Sequence, residues 1–197
     1  MKKVIFMRHG FLKDKYSDYS KLGFEDLENL LTNKVFPHID KEKTKAVLTK
    51  KPFINDVGFV ISSDESRAIE TADIVKELIN IDYIESNLLN EIGFEEGIIS
   101  KEDVNLHDFN HIRRRVLTQF FNSLYSEKFE DVVSRFLDFI DYLKTLNYNT
   151  ILCITHGWFM RLIYIYSVRG SLDDISLKDL LEAKIPGFLD TIGVYIK

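Results

Sequence analysis

Two histidines in this chain each precede a glycine, in Arg8-His9-Gly10 and in Thr155-His156-Gly157. Both tripeptides follow short apolar runs, Val4-Ile5-Phe6-Met7 and Ile151-Leu152-Cys153-Ile154. A third run, Val57-Gly58-Phe59-Val60-Ile61, leads through Ser62-Ser63 to Arg67. Two imidazoles and two guanidiniums make a poor interior, because unpaired buried charge is costly. They make a good pocket for a dianion. Arginine forks match phosphoryl oxygens bidentately and stay charged at any working pH. A neutral imidazole can attack phosphorus when one ring nitrogen is free and an acceptor holds the other. A second, donor histidine can stabilise charge on the equatorial oxygens as the phosphoryl group transfers. A glycine after each histidine lets the backbone pass close to the ligand. A helix starting near Gly157 would aim its positive end at the same place.

Such a pocket lacks an acid. An alkoxide leaving group needs a proton from the far side of the phosphoryl group. The segment Leu88-Leu89-Asn90-Glu91-Ile92-Gly93-Phe94-Glu95-Glu96-Gly97 supplies three carboxylates on a predicted loop. Glu91 is the first choice for the donor, with Glu95 and Glu96 behind it.

The elements that must position these groups follow from the apolar pattern. Fully apolar runs at Val4–Met7, Val57–Ile61 and Ile151–Ile154 read as strands buried on both faces. Gly193–Ile196 reads as an edge strand, and Asp82–Glu85 as a shorter candidate. Between them, Glu65–Ile79, His107–Leu124, Phe129–Leu146 and Trp158–Val168 carry helical spacing. Ser63 or Asp64 is expected to cap the first of these, and the last should be largely buried because it is apolar almost all round. Further helical patterns lie around Leu27–Leu31 and Glu42–Leu48, with Lys51-Pro52 closing the second. Alternating strands and helices predict an α/β three-layer sandwich with a mainly parallel central sheet and helices on both faces. Ligands bind such sheets beyond the carboxyl ends of the strands. If the first and the Ile151–Ile154 strands are neighbours, His9, His156, Arg8 and Arg67 converge on one edge.

The chain has 197 residues, enough for one medium domain with a substantial core. Its formal charge of -5 argues against nucleic acid as a partner. Cys153 is the only cysteine and lies in an apolar run, which excludes an intrachain disulfide and fits the reducing cytoplasm. No apolar run approaches the ~20 residues of a membrane span, so no membrane partner is expected.

With these pieces in order, the chain resembles the histidine phosphatase superfamily, the phosphoglycerate mutase-like fold. The resemblance rests on Arg8-His9-Gly10, on Ser62-Ser63-Asp64-Glu65-Ser66-Arg67-Ala68-Ile69-Glu70-Thr71-Ala72, on the region of Leu89 and Glu91, and on Thr155-His156-Gly157. It implies one domain over residues 1–197, with a helical cap at about 92–128. It makes His9 the nucleophile that becomes a phosphohistidine, Arg8, Arg67 and His156 the phosphate pocket, and Glu91 the proton donor. Water attack on the intermediate completes hydrolysis of a phosphomonoester, on a small molecule or a phosphoprotein. No metal or other cofactor is implied. The chain departs from the family pattern after Gly10, where Phe11-Leu12-Lys13-Asp14 replaces the usual polar residues and no phosphate-touching Asn comes after. Ser17 is the nearest substitute.

Three arginines, Arg113-Arg114-Arg115, stand together on a predicted helix. A solvated face is the simple reading; the sharper one has Arg113 or Arg114 overhanging the pocket and reading an acidic group on the substrate. His107 and His111 share a helix face and suit a metal, but no third ligand is evident. His38 has no evident partner, and Cys153 reads as core packing. Two related functions compete with hydrolysis: a mutase that returns the phosphoryl group to another oxygen, and a binding module that no longer turns its phospho-ligand over. A metal hydrolase on the His107/His111 pair is a third.

Overall fold

The run after the N-terminal lysines forms β1 (Lys2–Arg8), the second-to-last strand of a five-stranded sheet in a computed structural model. The structure describes residues 1–105, 108–184 and 186–196. The other strands are β2 (Phe59–Ser62), β3 (Tyr83–Glu85), β4 (Thr150–Thr155) and β5 (Thr191–Ile196), in the order β3-β2-β4-β1-β5. Every pairing is parallel except β1 with β5. The expected α/β architecture with a mainly parallel sheet is therefore observed, and β1 and β4 are neighbours.

The helices are α1 (Phe24–Leu31), α2 (Lys41–Leu48), α3 (Ser66–Ile79), α4 (Lys101–Asn105), α5 (Phe109–Phe121), α6 (Phe129–Thr145), α7 (Met160–Arg169) and α8 (Leu177–Glu182). They form one layer on each side of the sheet. Alternate residues of β1 show why: Val4 and Phe6 join the α5–α8 side, while Ile5 and Met7 join the α2–α3 side. This is the period-two alternation of a strand covered on both faces. On the first side Phe6 meets Phe136 and Phe139 of α6 at ring-centroid distances of 6.2 Å.

Several expectations at element ends need correction. Neither Ser63 nor Asp64 caps α3 with its side chain; the N-cap is Glu65, which makes no side-chain cap bond. The Ser63 hydroxyl accepts the Glu65 N–H at 3.2 Å, but its stronger bonds run into the site. Helix α2 already stops at Leu48, and Pro52 opens a separate short turn, Pro52–Asp56. Burial of α7 runs only as far as Ile165, with Ser167 and Val168 exposed. The short helices α4 and α8 span five and six residues. Helix α4 has one apolar residue, and the Leu177, Leu180 and Leu181 of α8 cover less than two turns, so both escaped the sequence reading. No helix among the described residues is long and apolar enough to cross a membrane.

Candidate active site

Three parallel strands end together. The register sets Arg8 opposite Thr155, so the next residues, His9 and His156, leave the sheet side by side. Two backbone bonds continue the ladder past the strands: His9 N–H donates to the Thr155 carbonyl and Ser63 N–H to that of Ile154, each at 2.9 Å. The His9 and His156 rings lie with centroids 5.3 Å apart. Arg67, on the first turn of α3, donates from Nε to His156 Nδ1 at 3.0 Å. All three side chains are buried. The convergence expected from the strand ends is thus observed.

The glycines make room for protein neighbours, and Gly157 also lines the cavity. A Cβ on Gly10 would stand 2.5 Å from Thr44 Oγ1, and one on Gly157 would stand 3.1 Å from the Arg8 guanidinium carbon. Gly10 thus lets α2 pack against the loop after His9, and Gly157 lets Arg8 lie across the start of the α7 segment. Thr44 also accepts the Phe11 N–H at 3.1 Å, and Thr71 accepts that of Gly10 at 2.8 Å.

Hydrogen bonds fix the histidine tautomers. His9 Nδ1 lies 3.0 Å from the Gly10 carbonyl, which can only accept, so Nδ1 carries the proton and Nε2 keeps its lone pair. His156 Nδ1 accepts from Arg67, so its Nε2–H donates to Ser63 Oγ at 2.8 Å. Ser63 in turn donates to Asn90 Oδ1 at 2.7 Å. Burial drives both imidazoles well below their usual pKa, and the positive charges of Arg67 and Arg8 push the same way. Both rings are therefore neutral near pH 7, the form in which His9 Nε2 is nucleophilic.

Arg8 donates to Tyr19 Oη at 3.1 Å and to the Pro186 carbonyl at 2.9 Å, with its guanidinium carbon 4.4 Å from the Phe188 ring centre. Tyr19 lines the cavity. Ser17 does not: it is exposed and bonds only the Asp14 carbonyl.

Glu91 lines the same cavity, whereas Glu95 and Glu96 are exposed and Glu96 pairs with Lys34. Its carboxylate accepts from three backbone N–H groups: Ile92 at 3.1 Å, Trp158 at 3.1 Å and Phe159 at 2.8 Å. The segment leading into α7 therefore directs its Trp158 and Phe159 N–H groups onto Glu91, at the same cavity. Arg135 on α6 holds the Glu91 loop by donating to the carbonyls of Leu88 and Asn90 at 3.2 and 2.9 Å. It also grips Glu127 with two nitrogens, at 3.2 and 3.0 Å.

One carboxylate escaped the sequence reading. Glu65 is largely shielded beside the site, with Oε2 2.5 Å from Arg67 Nη2, outside hydrogen-bonding geometry, and 3.8 Å from His156 Nε2. Its Oε1 accepts the Glu91 N–H at 2.8 Å. Burial raises its pKa; Arg67 opposes that shift and the neighbouring Glu91 adds to it. In sequence Glu65 looks like an ordinary first-turn acid beside Asp64. Only its burial distinguishes it.

Of the arginine triplet, Arg113 lines the cavity and its buried Nε has no hydrogen-bond partner. Arg114 is exposed and absent from the cavity lining, so it does not overhang the pocket. Arg115 is taken by Asp103 at 2.9 Å. A further guanidinium, Arg161, is buried against the Trp158 ring at 5.3 Å and donates to the carbonyls of Leu180 and Ala183. Burial, reinforced by Arg113, brings its pKa down to about 10. His107 lies outside the described residues; His111 Nε2 is 2.9 Å from Asp103 Oδ1. Among the described residues no group of three His, Cys, Asp or Glu is placed to hold a metal ion. His38 does have a partner, Glu70, on the surface. Cys153 is buried in the core, where burial raises its thiol pKa.

The sequence matches the family described as "Histidine phosphatase superfamily (branch 1)" over residues 43–183, well over half of the chain. The chain belongs to the histidine phosphatase superfamily. The matched stretch carries Arg67, Glu91 and His156; Arg8 and His9 lie before it. No curated protein matches the sequence. Among solved structures, the fold is similar to that of a mycobacterial glucosyl-3-phosphoglycerate phosphatase, with a TM-score of 0.66 and 13% identity over 98% of this chain and 89% of that one. It is also similar to a putative alpha-ribazole-5'-P phosphatase from Escherichia coli, at TM-score 0.66 and 17% identity, covering 100% and 92%. Bacillus stearothermophilus YhfR gives TM-score 0.66 and 18% identity, again covering 100% and 92%. At these identities the likeness carries the fold of this histidine phosphatase family member and leaves its substrate open.

Proposed function

We propose that this protein hydrolyses a phosphomonoester in two steps through a phosphohistidine on His9 Nε2, without a metal. The observation that carries the reading is the His9 tautomer: a buried, neutral imidazole whose Nδ1–H is held by the Gly10 carbonyl. Its free nitrogen belongs to a ring within 5.3 Å of His156 and lines a cavity with Arg8 and Arg67. In the first step the Nε2 lone pair forms the N–P bond and the ester P–O bond breaks. Arg8 and Arg67 take the charge of the three equatorial oxygens, the role a metal fills in other phosphoryl-transfer sites. Glu91 delivers a proton to the leaving oxygen. In the second step Glu91 takes a proton from water as that water attacks phosphorus, and His9 is the leaving group. Arg113 adds a further cationic contact for the substrate. The protein is a cytoplasmic enzyme in this reading, and its substrate is a small ester or a phosphoprotein.

A second reading has a specific observation behind it. Both ring nitrogens of His156 and both oxygens of Glu91 are engaged by the protein itself. A site committed in this way could bind a phospho-ligand without turning it over.

The deciding experiment is hydrolysis of phenyl phosphate and of an alkyl phosphate with excess chelator present. Expected are turnover by the native chain, none by His9→Ala, and a loss in Glu91→Ala that is larger on the alkyl ester, whose leaving group depends more on protonation. No turnover of either ester by the native chain favours the binding module. Equal losses on both esters remove Glu91 from the donor role, and loss of turnover with chelator alone removes the metal-free mechanism.

A further inference from the structure

The cavity of about 170 Å³ that begins at Arg8, His9 and Arg67 continues between two helices. Helix α1 presents Leu27, Leu30 and Leu31, the three-and-four spacing of one apolar stripe. Helix α5 faces it with Phe109 and Ile112, three residues apart, and Trp158 closes one side. Beyond the phosphate end, the polar contributions to the lining are Asn33, Arg113 and Arg161, the last already donating to the Leu180 and Ala183 carbonyls. The two apolar stripes are therefore aligned across a space that their own side chains leave unfilled.

Resting on the phosphate-site reading above, we infer that the natural substrate is a phosphomonoester with a compact apolar leaving group, a single aromatic ring or an alkyl chain. Two physical facts select this class. A cavity of about 150 Å³ lined by Leu, Ile and Phe accepts a benzene ring. The 170 Å³ here also holds the phosphoryl end, so the remainder suits no more than one small ring or a short chain. The hydroxyls of a sugar or glycerate would lose water against leucine and phenylalanine and find few partners there, which costs affinity. The phosphoryl group supplies the orientation, and the body between α1 and α5 supplies the selection. Arg113, near the α5 stripe, can meet the phosphoryl group or a single acidic substituent without making the wall polar.

The test compares hexyl phosphate with glycerol 1-phosphate and glucose 6-phosphate, by kcat/KM. All three release a primary alcohol, so intrinsic reactivity is matched and the difference reports the body. Burial of a methylene is worth about fourfold. With three buried, hexyl phosphate is expected to exceed glycerol 1-phosphate by on the order of 50-fold. Leu30→Gln and Phe109→Gln should each shrink that ratio by about fivefold or more. Hydrolysis that needs His9 but shows no preference, or prefers the polyhydroxylated esters, overturns the inference and leaves the phosphatase reading standing. If no ester is hydrolysed, the phosphatase reading fails by itself. The body is then tested by calorimetry on the unmodified protein. Hexylphosphonate binding at least about tenfold tighter than 3,4-dihydroxybutylphosphonate supports the inference, and equal binding overturns it.

Discussion

Replacing Glu65 with glutamine tests how the pocket manages its own charge. The amide keeps the shape and can still accept the Glu91 N–H, but it removes the negative charge 2.5 Å from Arg67 Nη2. A phosphoryl dianion seated on Arg67 must share that guanidinium with the carboxylate. Two unit charges about 6 Å apart interact by roughly 3 kcal/mol at an effective dielectric of about 20. Part of that is offset because Glu65 also orders Arg67. The net expectation is a Glu65→Gln variant that binds a dianion at least about tenfold more tightly at pH 7.5. Sulfate is the probe, because it stays doubly charged throughout the range, and calorimetry supplies the dissociation constants. The pH dependence carries a second check. The Glu65 pKa is raised by burial, so acidification protonates it in the native site above the usual carboxylate range. The affinity ratio between variant and native protein should therefore fall toward one as pH drops. A variant that binds sulfate no tighter, or a ratio that ignores pH, refutes the reasoning and makes Glu65 simply a brace for Arg67.

The two buried histidines predict a stability profile. Their native pKa values lie below the unfolded value, so below about pH 6.5 the unfolded chain binds more protons and stability falls with pH, by up to about 1.4 kcal/mol per unit for each histidine. Urea titrations at pH 7.5, 6.5 and 5.5 should show this, and His156→Gln should flatten the slope; a flat native profile contradicts it. Gly10→Ala should cost about 1–3 kcal/mol through the clash with Thr44. Combined with Thr44→Ala it should cost less than the sum of the two single changes, measured as a double-mutant cycle. Arg135→Ala removes the clamp on Leu88 and Asn90 and strands Glu127, so a loss of about 2–3 kcal/mol is expected. The same variant should lower kcat on alkyl esters more than on aryl ones if the clamp positions Glu91. Equal losses would assign it a purely structural role.

Much of this molecule was legible because the apolar runs are short and end in chemistry. Val4–Met7 and Ile151–Ile154 are buried on both faces, and a parallel sheet sends the residues after each run to the same edge. That is enough to bring His9 and His156 together. Arg67 was reachable because it comes just after a strand end, on the first turn of a helix. Glu65, Tyr19 and Arg135 were not reachable in the same way. Their roles depend on which side of a loop or helix faces the pocket, and neither period nor spacing encodes that. The protein neighbours of the two glycines were hidden for a related reason: a missing Cβ announces a close approach but not by what. Arg114 shows the converse limit. Adjacent helical positions diverge by about 100°, so only one member of Arg113-Arg114-Arg115 could turn to the cavity.

The most direct test of the account is to trap the intermediate. Native protein is mixed with a radiolabelled alkyl or aryl phosphate, quenched within milliseconds in alkali, and digested for peptide mapping. The account predicts label on the peptide containing His9, stable to base and lost in mild acid, and none in His9→Ala. Substrate turnover with no label on that peptide, or label carried by a serine or an aspartate, would contradict it.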